Sequence, residues 1–256
     1  MKEIFSRKQG KGKPVLLIHG FCETHEIWND FAKALAESFE VFSIDLPGFG
    51  ESPLPPTPFS IHEIAGTILT WINQSNIRSP FLVGHSLGGY LALSMAEQAQ
   101  QKISGLCLFH STPYPDNDEK KSNRNRVIEF VRKNGVDPFV DTFVPGLFND
   151  KKHPAIPGVY KIARKTSRET LLAYASAMRD RPSSIEFLRK IEKPVLTLAG
   201  EKDSIVMAET ALEYSRIAKS SAVHILENTG HMGMFEQPEE ATRILSDFIS
   251  VSNRVV

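Results

Sequence analysis

A mostly parallel α/β sheet flanked by helices, interrupted by one helical insertion, is the fold class that this 256-residue sequence predicts. Three observations carry it. Short apolar runs bounded by Gly, Pro or polar residues alternate with amphipathic stretches, the pattern of strands buried on both faces and their crossover helices. The alternation stops between residues 112 and 190, where helical patterns punctuated by seven prolines take over. Charge divides at the same place: residues 112–190 carry 16 Lys/Arg against 10 Asp/Glu, a net of +6, so the remainder of a neutral chain is net −6. A core from residues 1–111 and 191–256 and a helical cap from residues 112–190 are therefore expected.

Taken in order, the first apolar run is 15–18, followed by His19-Gly20-Phe21. Ile27, Phe31 and Leu35 then recur at helical spacing. The run 41–44 leads into Asp45-Leu46-Pro47-Gly48-Phe49-Gly50-Glu51-Ser52, a loop that Asp45 is placed to close. Runs 81–83 and 103–109 follow, then helical patterns around 124–133, 139–148 and 169–178 in the insertion. Runs 195–198 and 223–226 complete the strands. Ala241, Ile244, Leu245, Phe248 and Ile249 mark one buried face of a last helix, with Pro238 suited to its first turn.

Composition excludes several classes. Hydrophobic residues at 41% and charged residues at 23% are ordinary globular usage. No apolar run approaches the roughly 18 residues of a membrane span, and residues 1–13 lack the apolar centre of a secretory signal. Two cysteines, Cys22 and Cys107, make no disulfide framework, so a reducing cytoplasm is expected. Thirty basic residues balance thirty acidic ones, which argues against a nucleic-acid partner and leaves a small-molecule substrate; oligomeric state has no signal. No Walker loop, H-E-x-x-H or C-x-x-C occurs, so neither a cofactor nor a metal is expected.

Gly84-His85-Ser86-Leu87-Gly88 fits the G-x-S-x-G nucleophile elbow, with a strand pattern before it and a helix pattern from Leu87. Such a turn forces the serine into strained backbone angles, and a Cβ at either glycine would strike the neighbouring chain. A serine hydroxyl at neutral pH needs a base, and the base an orienting acid.

Together with His19-Gly20-Phe21, residues 45–52, Gly200-Glu201-Lys202-Asp203 and Gly230-His231-Met232, this elbow resembles the α/β-hydrolase superfamily, in particular its small serine esterases. The resemblance covers nearly the whole chain and implies the order nucleophile, acid, base, met by Ser86, Asp203 and His231. His231 lies in a Gly-rich loop after run 223–226; His85 and His19 are its rivals, expected instead to pack and to make structural hydrogen bonds. Asp203 sits 28 residues before His231; Asp116, six residues beyond His110, is the alternative acid. Leu87 supplies one oxyanion N–H by the geometry of the elbow, and the resemblance puts the second on Phe21, with Cys22 the alternative. The Ser86 nucleophile excludes epoxide hydrolases and haloalkane dehalogenases, which need a carboxylate there.

Apolar residues of the insertion could roof the serine, and Phe143, Phe148 and Met178 are taken with Cys22 and Met232 as candidate pocket residues. The expected activity is cleavage of a small ester, thioester or lactone through an acyl-enzyme. Carbon–carbon bond hydrolysis or peracid formation on the same triad is the alternative, and a hydrolase-like ligand sensor signalling through a protein partner is a reading from another class.

Overall fold

The computed structural model describes residues 4–252; residues 1–3 and 253–256, which the sequence assigns to the core, lie outside them. Among the described residues seven strands form one sheet in the order β1-β3-β2-β4-β5-β6-β7. They are β1 (Ser6–Gln9), β2 (Pro14–Ile18), β3 (Glu40–Ile44), β4 (Phe81–His85), β5 (Gly105–Phe109), β6 (Val195–Gly200) and β7 (Ser221–Leu226). Only β1 is antiparallel, paired with β3 from Ser6↔Ile44 to Gln9↔Val41; every other pair is parallel. The central strands β4, β5 and β6 are buried throughout, as their unbroken apolar runs require.

Helices α1 (Asn29–Leu35), α2 (Ile61–Gln74) and α3 (Leu87–Ala99) connect the first strands. A capping box, Ser60 with Glu63, starts α2 by satisfying donors at both of those residues. Between β5 and β6 run five helices and no strand: α4 (Asp118–Asn134), α5 (Asp137–Leu147), α6 (Ile156–Ala163), α7 (Arg168–Arg179) and α8 (Ile185–Lys190). The chain then adds α9 (Ala208–Ser215), α10 (Gly233–Glu236) and α11 (Pro238–Ser252), with Pro238 opening α11. Among the described residues no helix is long and apolar enough to cross a membrane.

The inserted helices are fastened to the sheet's loops by polar contacts. Tyr174 donates its hydroxyl to the Pro47 carbonyl at 2.8 Å, and Thr170 to that of Gly48 at 2.8 Å. Lys165 reaches Glu26 at 3.0 Å. Two stems of the insertion meet where Arg181 donates to Asp116 at 2.8 Å and to the Tyr114 carbonyl at 2.8 Å.

Parallel strands bring His19, Asp45, Ser86, His110, Asp203 and His231 to one place, since each follows or ends a strand at the carboxyl edge. The strand order reverses between β2 and β4, whose neighbours β3 and β5 lie on opposite sides. Outside that reversal is where open α/β sheets bind ligands.

Candidate active site

Ser86 joins β4 to α3 at φ 51°, ψ −113°, a conformation that L-residues rarely adopt. The turn is possible because Gly84 and Gly88 lack side chains. A Cβ on Gly84 would lie 2.3 Å from the Gly88 oxygen, and one on Gly88 would lie 2.2 Å from the Ile18 oxygen of β2. Hydrogen bonds from Ser86 N–H to the Phe109 oxygen at 3.0 Å and from Ser111 Oγ to the Ser86 oxygen at 2.8 Å hold the elbow. Ser86 is half-buried and its hydroxyl makes no capping bond to α3, so Oγ is not engaged by its own helix. Leu87 is the first residue of α3, among the N–H groups that a helix leaves without internal partners.

Asp203 and His231 are both buried, and His231 Nδ1 lies 2.8 Å from Asp203 Oδ2. The same oxygen meets His110 Nδ1 at 3.0 Å, while Asp203 Oδ1 accepts the N–H groups of Ile205 at 2.8 Å and Val206 at 3.0 Å. Burial opposes the charge on Asp203, but His231 and His110 outweigh it and hold the carboxyl far below the usual carboxylate range. His110 accepts the Gly233 N–H on Nε2 at 3.2 Å, so its proton is on Nδ1, and burial pushes its pKa down to about 4. Donor atoms of His110, Asp203 and His231 fall within 4.8 Å of one another, as a metal would need. In this arrangement two N–H groups converge on one carboxylate oxygen, and hydrogen bonds account for the clustering.

The loop that carries His231 is held on three further sides. His231 N–H donates to the Leu147 oxygen at the end of α5 at 2.7 Å. Glu236 accepts the N–H groups of Gly230 at 3.0 Å, Met232 at 3.2 Å and Asn149 at 2.7 Å. His85 Nε2 meets the His231 carbonyl oxygen at 2.8 Å, which ties the residue before Ser86 to the His231 loop.

His19 Nε2 accepts the Leu46 N–H at 2.9 Å, leaving Nδ1 to donate to the Gly20 oxygen at 2.8 Å. That oxygen belongs to the same planar peptide as the Phe21 N–H, which in a trans peptide points the opposite way. His19 thereby fixes the direction of the Phe21 donor. Cys22, one residue on, is a buried free thiol at φ 60°, and burial pushes its pKa far up, which suits inert packing and not nucleophilic chemistry.

Of the pocket residues, Phe143 stands 6.1 Å ring to ring from Phe21 and stacks on Phe139 at 5.0 Å. Phe148 turns elsewhere, stacked on His153 at 5.1 Å and near Phe235 at 6.2 Å. Met178 and Met232 are buried. A groove of about 520 Å³ opens between α1, α6 and α10, but none of Ser86, Asp203 and His231 lines it. Asp116, the alternative acid, is buried and ion-paired with Arg181 at 2.8 Å and with Arg124 at 3.1 Å. His85 is polar-bonded on both nitrogens, beyond the packing role expected of it.

The family model for the alpha/beta hydrolase fold matches residues 13–238, most of the chain. The chain belongs to the α/β-hydrolase fold family. Among solved α/β hydrolases it is similar to a thermophilic esterase from Thermogutta terrifontis, with 30% identity, a TM-score of 0.92 and coverage of 97% of this chain and 93% of that one. It is also similar to the pimeloyl-[acyl-carrier protein] methyl ester esterase of Methylococcus capsulatus, 26% identical over 97% of this chain and 99% of that protein. A third relative is the 2-hydroxy-6-oxo-6-(2'-aminophenyl)hexa-2,4-dienoic acid hydrolase of Metapseudomonas resinovorans, 27% identical over 94% of this chain and 85% of that protein.

Proposed function

We propose that this α/β-hydrolase family member is a serine hydrolase cleaving a small carboxylic ester, thioester or lactone through an acyl-enzyme. The observation that carries the reading is the buried Asp203–His231 pair at 2.8 Å, tied through His85 to a strained serine elbow. Asp203 fixes the tautomer with the proton on His231 Nδ1, so Nε2 presents a lone pair. Ser86 Oγ attacks the substrate carbonyl carbon while its proton passes to Nε2. The tetrahedral oxyanion is met by the N–H groups of Phe21 and Leu87, which need no reorganisation. Collapse breaks the bond to the alkoxide or thiolate, which leaves with the proton from His231. Water, activated by the same nitrogen, then releases the acid and restores Ser86.

In this reading residues 112–190 are a cap, and Phe143 beside Phe21 narrows the acyl side of the site, favouring short acyl groups. The substrate is a small molecule, and a cytoplasmic location agrees with two buried free thiols. Carbon–carbon bond hydrolysis is the second reading, favoured by the 27% identical hydrolase of Metapseudomonas resinovorans, whose name specifies a hexa-2,4-dienoic acid.

The test is a series of p-nitrophenyl esters of increasing acyl length, with a fluorophosphonate as covalent probe. Labelling at one site, mapped to Ser86, is expected. Ser86→Ala should abolish the label and lower kcat on the order of a million-fold. Labelling elsewhere, or retained turnover in the variant, overturns the mechanism. Turnover of a dienoic acid in the absence of ester turnover selects the second reading.

A further inference from the structure

Glu23 follows β2, His85 ends β4 and His231 follows β7, yet the three are joined. Glu23 Oε2 accepts the Gly20 N–H at 2.6 Å and meets His85 Nδ1 at 2.9 Å. The other nitrogen, Nε2, meets the His231 carbonyl oxygen at 2.8 Å. A carbonyl faces Nε2, so that nitrogen donates; with Glu23 ionised, as its lowered pKa favours, Nδ1 donates as well and the ring is an imidazolium. The side chains of His85 and Glu23 are 0% and 3% exposed, so this is an ion pair away from water. Gly20 makes room for it: a Cβ there would stand 2.7 Å from Glu23 Oε2 and 2.8 Å from His85 Nδ1.

We propose that the buried Glu23–His85 pair is a positioning relay, locking the oxyanion loop and the base loop to the two sides of the Ser86 elbow. The proposal rests on Ser86 and His231 being nucleophile and base. Neither Glu23 nor His85 touches the reacting atoms. Glu23 holds the N–H of Gly20, whose next peptide carries the Phe21 donor. His85 holds the backbone of the residue whose ring must meet Ser86.

The relay exists only while His85 is charged. Loss of one proton turns a donor into a lone pair aimed at an oxygen. Burial alone would discharge the ring, but the Glu23 carboxylate, the His231 carbonyl and the more distant Asp203 charge outweigh it and raise its pKa. Reciprocally, burial disfavours charge on Glu23, and the imidazolium outweighs that and lowers its pKa. The rings of His231 and His110 also face His85, at 4.9 and 6.1 Å; His110 is held neutral and so adds no opposing charge. Trp28 and Phe109 close the remaining sides, with ring centroids at 6.2 Å each.

Nitrogen-15 NMR of the whole chain with labelled histidine reads the charge directly, with the His85 signal assigned by its loss in His85→Gln. Both ring nitrogens should be protonated at pH 7.5, where an ordinary histidine with a pKa of about 6.5 is mostly neutral. A neutral His85 overturns the proposal whatever the reaction is. Kinetics with a p-nitrophenyl ester test the positioning. Glu23→Gln keeps the size and an acceptor for Gly20 but removes the charge. It should lower kcat about 10- to 100-fold with KM changed less than about twofold, the signature of misplaced reacting groups. The alkaline fall of kcat should also begin at lower pH than in the wild type. Glu23→Asp keeps the charge and should recover part of the loss. Full kcat in folded Glu23→Gln overturns the relay. If that variant does not fold, an unchanged kcat and pH profile in Glu23→Asp does so. Failure of the underlying reading shows separately, as fluorophosphonate that does not label Ser86.

Discussion

Asp203 Oδ2 faces two imidazole N–H groups while Oδ1 takes two backbone N–H groups, so the carboxylate has no lone-pair direction to spare for an amide. Asp203→Asn must turn an NH2 toward one of these donors, and the relief is a tautomer change on the His231 ring that removes the base. A loss of about 10⁴-fold in kcat is expected, by the logic of the serine-protease acid. Asp116→Asn gives the contrast. It leaves the buried Arg181 short of its counter-charge, so urea unfolding should show roughly 3 kcal/mol of destabilisation with kcat within a few-fold of wild type. The reverse pattern, with Asp116→Asn inactive and Asp203→Asn mild, sinks the assignment of the acid. The strained turn at Ser86 and the meeting of Asp203 with His231 were legible in the sequence because each of the three lies just past an apolar run, and the turn has a spacing imposed by sterics. Glu23, His85, His110 and Glu236 were not. Their roles come from partners 62 to 146 residues away for His85 and 93 for His110, and no local spacing encodes which loops meet. A weak signal existed for His110, which closes an apolar run at the same sheet edge.

At the level of elements, the end of α5 is part of the support of the His231 loop. Leu147 accepts the His231 N–H, Asn149 donates to the Asn228 oxygen at 2.9 Å, and the chain passes so close that a Cβ on Gly230 would stand 2.6 Å from the Asn149 nitrogen and 2.8 Å from the Leu147 oxygen. These obstacles are backbone and cannot swing aside. Gly230→Ala should therefore push α5 and the loop apart, at about 1–3 kcal/mol of stability for overpacking and on the order of 10²-fold in kcat for displacing His231. A variant with native kcat and native urea midpoint would mean that the inserted helices do not brace the base. Apolar runs located the parallel strands: burial on both faces leaves that pattern in β4, β5 and β6, whereas β7 is mostly half-buried or exposed and shows it only from Val223 to Leu226. The edge strand β1 was missed because Ser6-Arg7-Lys8-Gln9 pairs through its backbone while two of its four side chains stay exposed. The run starting at residue 103 overshot β5 by two residues because Ile103 is buried without joining the ladder, and hydrophobicity reports burial, not pairing.

Over the whole molecule, the buried titratable groups are set in opposite senses, and that fixes how stability depends on pH. Burial pushes the pKa of His110 down to about 4, and that of His19 down as well. Between about pH 6.5 and 4 the unfolded chain takes up a proton at His110 that the folded chain refuses, so stability falls as pH falls. A shift from about 6.5 to about 4 corresponds to roughly 3 kcal/mol for His110 alone, with His19 adding in the same direction. The lowered carboxyls of Asp203, Glu23 and Asp45 extend the loss below about pH 4, where their unfolded counterparts protonate. His85 works from the other side: its raised pKa stabilises fully below about 6.5, and that contribution disappears as pH climbs through the folded value. Stability should therefore peak near pH 6.5 and decline on either side. Urea midpoints at half-unit steps from pH 4.5 to 9 measure this. His110→Gln should be less stable than wild type at pH 7, since Asp203 and Gly233 each lose a partner, yet its stability should change less steeply between pH 6.5 and 4.5. An unchanged slope in that variant would show that the acid-side loss arises elsewhere, with the neutral His19 the next group to remove.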